Sequence, residues 1–336
     1  MNKTIISFFE VNSKEKNYIK KKFDKNFELR FYEEVLNTAN KELIKDSDVI
    51  SPFIYSSLSK DVISCAKKLK LIAARSTGYN HIDVQFAGKL KISVANVPFY
   101  GENTVAEHTF ALILCLSRNI HKAYVRTIKN DFSLTGLQGF DLKNKTIGII
   151  GAGSIGVHVI KMAKGFGMKI IAYDIKPNHL LPEILDFQYV SLTELLKSSD
   201  IISLHSPYNA QTRNMINMEN INLVKKGALF INTARSGIIE PQALYYAIEK
   251  EIFGGAGLDV FEGEDLVNEE NQMLTKNVSV EHLEAILKRN ILLRKENVII
   301  TPHMAFDSVE AVERILDTTV ENIKCFLSGQ SYYKVK

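Results

Sequence analysis

Several residues able to do chemistry stand at equivalent places in this chain, each just past a short apolar run. Arg235 follows residues 228–231, Asp259 follows Gly257 and Leu258 with Glu264 five positions further on, and His303 follows residues 298–300. A guanidinium presents paired N–H donors that match a carboxylate. An imidazole, ordinarily titrating at about 6.5, gives and takes a proton near neutral pH. A carboxylate beside it fixes the tautomer and favours the charged ring. Taken singly such residues are more often structural; as a set at equivalent strand ends they are expected to converge on one site. His205, Ser206 and Pro207 follow a further run, residues 201–204, in the same way.

A second constellation is TIGIIGAGSIG at residues 146–156, where an apolar run breaks into glycines at Gly151, Gly153 and Gly156. Gly151 permits a tight turn, Gly153 lets backbone approach a pyrophosphate, and Gly156 lets a helix starting near Ser154 lie against the strand. The helix N-terminus offers unpaired N–H groups and a positive dipole end to phosphate. A second strand, residues 169–173, ends at Asp174, about 20 residues beyond the first glycine. An acid there accepts from a ribose 2′-hydroxyl and repels a 2′-phosphate. The expected cofactor is therefore NAD(H).

The elements that must position these residues alternate almost from end to end. Strands are expected at residues 4–9, 27–31, 49–54, 71–74 and 92–95, with amphipathic stretches such as 59–69 between them. A second series runs through 147–150, 169–173, 186–190, 201–205, 228–232, 256–258 and 298–301. This alternation indicates βαβ units and parallel sheets. Between the two series, TVAE at 104–107 reads as a capping box opening a long apolar helix to about Tyr124. The expected architecture is α/β: two Rossmann-like or flavodoxin-like parallel-sheet domains with a cleft between them. Residues 1–103 plus about 307–336 would form a discontinuous substrate (catalytic) domain and 104–306 the NAD-binding domain.

Composition narrows the classes. The chain has 336 residues, 46% hydrophobic and 24% charged, as in a globular protein of two domains. A net charge of +4 is small for this length, so a nucleic-acid partner is not expected. The lysines of residues 14–25 read as a solvated helix face. Neither the amino terminus nor the helix near 110–116 is long and apolar enough to suggest a signal or membrane span. Cys65, Cys115 and Cys325 show no metal-ligand spacing and suit buried thiols in a reducing compartment, so a cytoplasmic protein without a metal is expected.

The motifs together resemble those of the D-isomer-specific 2-hydroxyacid dehydrogenases: TIGIIGAGSIG, Asp174, LHSP at 204–207, INTARSG at 231–237, GLDVFEGE at 257–264 and TPH at 301–303. ARSTGYNHID at 74–83 and NVPFYGENTVAEH at 96–108 extend the resemblance over nearly the whole chain. Within that family the chain is most similar to the D-lactate dehydrogenases, through Phe306, the FIY segment ending at Tyr55 and the long insertion before His303. The resemblance implies that Arg235 anchors a 2-oxo acid carboxylate, His303 exchanges the proton and Glu264 partners it. Hydride would pass between the nicotinamide and substrate C2. It also implies cofactor contacts from Gly151, Gly153, Ser154, Ile155, Gly156, Asp174, His205, Ser206, Pro207, Thr212, Thr233, Ala234, Arg235 and Asp259. Substrate contacts would come from Thr77 and Gly78 backbone, Tyr100 and Arg235, with Tyr55 and Phe306 as an apolar wall. Ser236 and Glu240 depart from the family's commoner glycine and aspartate.

The resemblance leaves other substrates open, of 2-hydroxyisocaproate, glycerate or hydroxypyruvate types; a phosphorylated acid would want Arg or Lys near Tyr55, and residues 52–58 hold none. Some relatives are instead NAD-responsive corepressors that keep the same three residues. A small 2-oxo or 2-hydroxy acid is the expected partner, together with a second copy of the chain docked through the helix at 104–124.

Overall fold

The computed structural model describes residues 3–261 and 290–335. The chain divides into two compact units, Met1–Tyr100 with Ser308–Lys336, and Gly101–Asp307.

In the first unit β1 (Thr4–Phe8), β2 (Phe27–Phe31), β3 (Val49–Ser51), β4 (Leu71–Ala73) and β5 (Ser93–Ala95) form one sheet in the order β2-β1-β3-β4-β5. All its neighbours are parallel. Helices α1 (Ser13–Lys22), α2 (Lys60–Ile63) and α3 (Val84–Lys89) connect the strands. α1 begins at a capping box in which Asn12 and Glu15 bond reciprocally, pairing N–H groups that a helix start leaves open.

The second unit starts with α4 (Glu102–Ser117) and α5 (Ile120–Thr127). Seven parallel strands follow: β6 (Thr146–Ile150), β7 (Lys169–Tyr173), β8 (Gln188–Tyr189), β9 (Ile201–Leu204), β10 (Ala228–Asn232), β11 (Phe253–Leu258) and β12 (Val298–Ile300). Their order is β12-β11-β10-β9-β6-β7-β8. Helices α6 (Ser154–Gly165), α7 (Leu180–Leu185), α8 (Leu192–Ser198) and α9 (Pro241–Glu249) cross between them. A final helix, α10 (Val309–Leu327), is capped by the Ser308 hydroxyl and belongs to the first unit, where it packs on β4 and α1.

Several expectations are corrected. The helix expected at 104–124 is two helices, broken where Asn119 adopts left-handed backbone (φ 51). Its first half begins at Glu102 after Gly101, so Thr104 is not an N-cap but a buried residue of the first turn. The apolar side chains of α4, among them Phe110, Leu112, Ile113 and Leu116, are buried in the unit's own core, and a partner is not needed to cover them. The apolar residues left exposed lie just beyond: Ile120, Tyr124, Val125, Ile128, Phe132 and Leu134. The amphipathic stretch 59–69 forms only the short helix α2 followed by turns. Of the thiols expected to be buried, only Cys325 is; Cys65 and Cys115 are half-buried, and all three are unpaired. Among the described residues no helix is long and apolar enough to cross a membrane.

Candidate active site

In the second sheet the strand order reverses between β6 and β9. At the carboxyl ends of that pair, open parallel sheets take their ligands. The glycine turn leaves β6 there and His205, Ser206 and Pro207 leave β9. Gly151 has φ +98, and a Cβ on it would fall 2.6 Å from Ser206 Oγ and 2.8 Å from the His205 carbonyl carbon. A Cβ on Gly156 would lie 2.1 Å from the Gly151 carbonyl oxygen, so only glycine lets α6 sit against the turn. Gly153 faces open space within 4 Å. No side chain caps α6, leaving the N–H groups of its first turn, including Ser154 and Ile155, for an anion. Asp174 Oδ2 accepts from Ala152 N–H at 2.9 Å and Oδ1 from Lys176 N–H at 2.8 Å, which places the carboxylate beside the glycine turn. The His205 ring bonds Ser203 Oγ through Nε2 at 2.8 Å, while its buried Nδ1 has no partner among the described residues. Burial pushes its pKa down to about 3. A cradle shaped by glycines, an uncapped helix start and an orphaned ring nitrogen fit a dinucleotide.

The groove wall beyond Pro207 is a turn closed by Thr212, which is buried. Its hydroxyl donates to Pro207 O at 2.6 Å and accepts from Asn209 N–H at 2.8 Å, so it shapes the groove by clasping the turn. At the end of β10, Asn232 accepts from Ala234 N–H at 3.0 Å and donates to Arg235 O at 3.0 Å. Thr233 shares its hydroxyl bond with Thr109 of α4 at 3.0 Å. This clasp leaves the Arg235 side chain exposed, one Nη1 donor on Ala234 O at 2.7 Å, with no carboxylate paired to it among the described residues.

His303 follows β12, next to β11 in the sheet, and has left-handed backbone (φ 50), a conformation uncommon for a residue with a side chain. Its N–H donates to the carbonyls of Asp259 and Thr301 at 3.0 and 2.9 Å. Asp259, expected beside the cofactor, commits its carboxylate to the chain. Oδ1 accepts from Thr301 Oγ1 at 2.5 Å and Met304 N–H at 2.9 Å, and Oδ2 accepts from Ala305 N–H at 2.9 Å. His108 of α4 adds its Nε2, 3.2 Å from Thr301 Oγ1 and 3.5 Å from Asp259 Oδ1. Asp259 is only 1% exposed, so these bonds are sheltered from water. The buried carboxylate thus fixes the loop carrying His303 and Phe306. His108 and Thr301 were legible only as parts of motifs; their partnership is set by packing. Glu264 lies outside the described residues.

In the first unit the expected substrate residues also follow consecutive strands: Tyr55 after β3, Thr77 and Gly78 after β4, and Tyr100 after β5. The turn after β4 is pinned by Thr77 Oγ1 to Val97 O at 2.7 Å and Ser76 Oγ to Gly78 O at 2.6 Å. Two residues not foreseen as functional, Glu10 and Arg75, hold the segment bearing Tyr55; neither stands in a spacing that would mark it. Among the described residues no cluster could hold a metal ion.

Fold and site define a dinucleotide-dependent oxidoreductase, and comparison with known proteins narrows the class. Residues 110–305 match the family model for the D-isomer specific 2-hydroxyacid dehydrogenase NAD binding domain. A 2-hydroxyacid dehydrogenase homolog of Haemophilus influenzae is 37% identical over 328 residues, covering 97% of each chain. The D-lactate dehydrogenase of Escherichia coli is 35% identical over 310 residues, 91% of each. The crystal structure of D-lactate dehydrogenase from Aquifex aeolicus complexed with NAD and lactic acid superposes with a TM-score of 0.86 at 37% identity, covering 96% of each chain. The chain belongs to the D-isomer-specific 2-hydroxyacid dehydrogenases. It is an NAD-dependent oxidoreductase acting on 2-hydroxy acids.

Proposed function

We propose that the enzyme is a D-lactate dehydrogenase, reducing pyruvate to D-lactate. The observation that carries the reading is the pair at the carboxyl edge of one sheet: a guanidinium with no carboxylate partner among the described residues, and His303 on left-handed backbone, in a loop that the buried Asp259 carboxylate fixes. Relatives named D-lactate dehydrogenase, similar over nearly the full chain, support the choice of acid. Arg235 grips the substrate carboxylate through two N–H donors and so orients the 2-oxo group. His303 donates its ring proton to the carbonyl oxygen as that oxygen gains charge, and takes it back in lactate oxidation. The family resemblance assigns the partner of the other ring nitrogen to Glu264, which lies outside the described residues. NADH, when bound, supplies the hydride to C2. The amides of Ser154, Ile155 and Gly156 hold the pyrophosphate, and Asp174 takes the ribose hydroxyls. Thr77 and Gly78 backbone and Tyr100 add to the grip on the carboxylate. Tyr55 and Phe306 limit the substrate side chain.

NADH oxidation with pyruvate, 2-oxobutyrate, phenylpyruvate, hydroxypyruvate and glyoxylate, followed by chiral analysis of the product, tests the reading. Pyruvate is expected to give the highest kcat/KM, with D-lactate as product. His303→Ala is expected to lower kcat about 10²–10⁴-fold, with pyruvate still bound. An L product, or another acid preferred over pyruvate, would overturn it.

We also propose a homodimer, supported by the exposed apolar side chains of Ile120, Tyr124, Val125, Ile128, Phe132 and Leu134 on and just after α5. Sedimentation at micromolar concentration reads the assembly directly; a monomer there would refute it.

A further inference from the structure

In the first unit's sheet the strand order reverses between β1 and β3. The carboxyl ends of these two strands therefore form the place where open parallel sheets take ligands. Two segments leave the sheet at that point: Phe9 and Glu10 after β1, and residues 52–56 after β3. Glu10 holds left-handed backbone (φ 55), an arrangement glycine adopts freely and other residues adopt at a cost. Its side chain reaches across to the second segment. Oε2 accepts from Phe53 N–H at 3.0 Å, Ser56 N–H at 3.1 Å and the Ser56 hydroxyl, and Oε1 accepts from Tyr55 N–H at 2.9 Å. The Ser56 hydroxyl oxygen also accepts from Leu36 N–H at 2.9 Å.

Beneath this clasp Arg75, 2% exposed, ties the first of these segments to Ser51 at the end of β3. Nη1 donates to Ser51 O at 2.8 Å, and Nη2 donates to Glu10 O at 3.0 Å and to the Phe9 carbonyl. Its guanidinium lies 5.7 Å from the centre of the Phe53 ring. A loop after a strand is ordinarily the mobile part of an α/β unit. Here the amides of Phe53, Tyr55 and Ser56 converge on one carboxylate, and bonds to an ionised acceptor are the strong kind.

We propose that Glu10 is a positioning residue for substrate selection: by clasping the backbone of 53–56 it sets where Tyr55 stands, and so which 2-oxo acid side chain is admitted. The proposal rests on the reading of Tyr55 as a wall of the substrate pocket. Left-handed backbone retained at a non-glycine residue fits a position kept for what its side chain does. Arg75 supports the clasp from below, buried and with both terminal nitrogens bonded to the chain.

The test compares wild type with Glu10→Gln, Ser56→Ala and Tyr55→Ala. Glu10→Gln keeps one oxygen for the Oε2 donors and loses the acceptor facing Tyr55 N–H. Ser56→Ala removes the hydroxyl bond to Glu10 and the acceptor of Leu36 N–H while leaving the three backbone amides on the carboxylate, and serves if the glutamine variant does not fold, as read by thermal unfolding. KM and kcat are measured for glyoxylate, pyruvate and phenylpyruvate, with KM for NADH alongside. Glu10→Gln is expected to raise KM for pyruvate about tenfold and lower the pyruvate-to-phenylpyruvate ratio of kcat/KM by a similar factor. Glyoxylate, which has no side chain to select, and NADH are expected to change less than about twofold. Ser56→Ala is expected to move the same ratio in the same direction by a smaller factor. If Tyr55→Ala shifts the ratio but neither Glu10→Gln nor Ser56→Ala does, the proposal is overturned and the pocket reading survives. If Tyr55→Ala leaves the ratio unchanged, the pocket reading falls and the proposal with it. Loss of activity spread evenly over all three acids would show a merely structural role and would also overturn it.

Discussion

Replacing Asp259 by Asn tests whether the buried carboxylate acts by holding the His303 loop. The amide oxygen of the variant can keep the bonds from Thr301 Oγ1 and Met304 N–H, which both converge on Oδ1. Its NH2 group then faces Ala305 N–H, now 2.9 Å from an acceptor. One bond to a charged acceptor is lost, worth about 1.5–3 kcal/mol, and a buried donor meets a donor. For a cooperative unit of this size that corresponds to a fall in Tm of about 4–10 °C. The larger effect is on rate. His303 N–H is anchored on the Asp259 carbonyl, and the residues after it hang on the carboxylate, so the ring moves when the clasp opens. Displacing a reacting group by about 1 Å costs on the order of 10²-fold in kcat. Thr301→Val separates this from any direct influence on the cofactor, because it keeps the side-chain shape and removes only the hydroxyl, with its bonds to Asp259 and His108. It is expected to lower kcat about tenfold, in proportion to a lost bond to a charged acceptor of about 1.5 kcal/mol, with KM for NADH unchanged. Stopped-flow NADH oxidation under saturating pyruvate, with thermal unfolding of each variant, reads both quantities. Wild-type kcat in both variants would refute the reasoning.

Gly151→Ala forces a Cβ into left-handed backbone 2.6 Å from Ser206 Oγ, a strain of about 1–3 kcal/mol. NADH fluorescence titration is therefore expected to show affinity weakened about 5- to 100-fold; wild-type affinity would contradict the cradle. Burial pushes His205 down to about 3 and His81 down to about 4. Both rings are neutral in the folded chain, whereas an unfolded imidazole binds its proton near pH 6.5. The stability they contribute is full above about pH 6.5 and is lost as pH falls toward 4, by up to about 1.4 kcal/mol per pH unit for each ring. Denaturant unfolding at pH 7, 6 and 5 is expected to show a shallower acid slope for His81→Leu than for wild type, and equal slopes would count against it.

The alternation of apolar runs and amphipathic stretches was enough to place nearly every strand, because a strand buried on both faces is a continuous apolar run whatever surrounds it. Ends were less legible. The run at 49–54 stops pairing at Ser51, since the chain must leave the sheet there to reach the Glu10 carboxylate. The apolar helix at 104–117 looked in need of a partner because hydrophobicity records that a face is covered without recording by what; α6, β10 and β11 cover it. The break at Asn119 depends on one left-handed residue, which asparagine tolerates but does not demand.

The glycine turn and the places of Asp174, Arg235 and His303 just past strand ends could be read from the sequence, because an apolar run that breaks into glycine or polar residues marks where a strand stops. The dinucleotide chemistry and the family follow from that local grammar. The partnerships that hold those residues in place could not be read in this way. Glu10 meets residues 53–56 across more than forty positions, and Asp259 meets Thr301, Met304 and Ala305 across a similar distance. A carboxylate has no preference for a distant amide until the sheet order brings the two strand ends together. Residue type therefore fixed what chemistry is available, and parallel strand pairing decided which backbone each buried charge would hold.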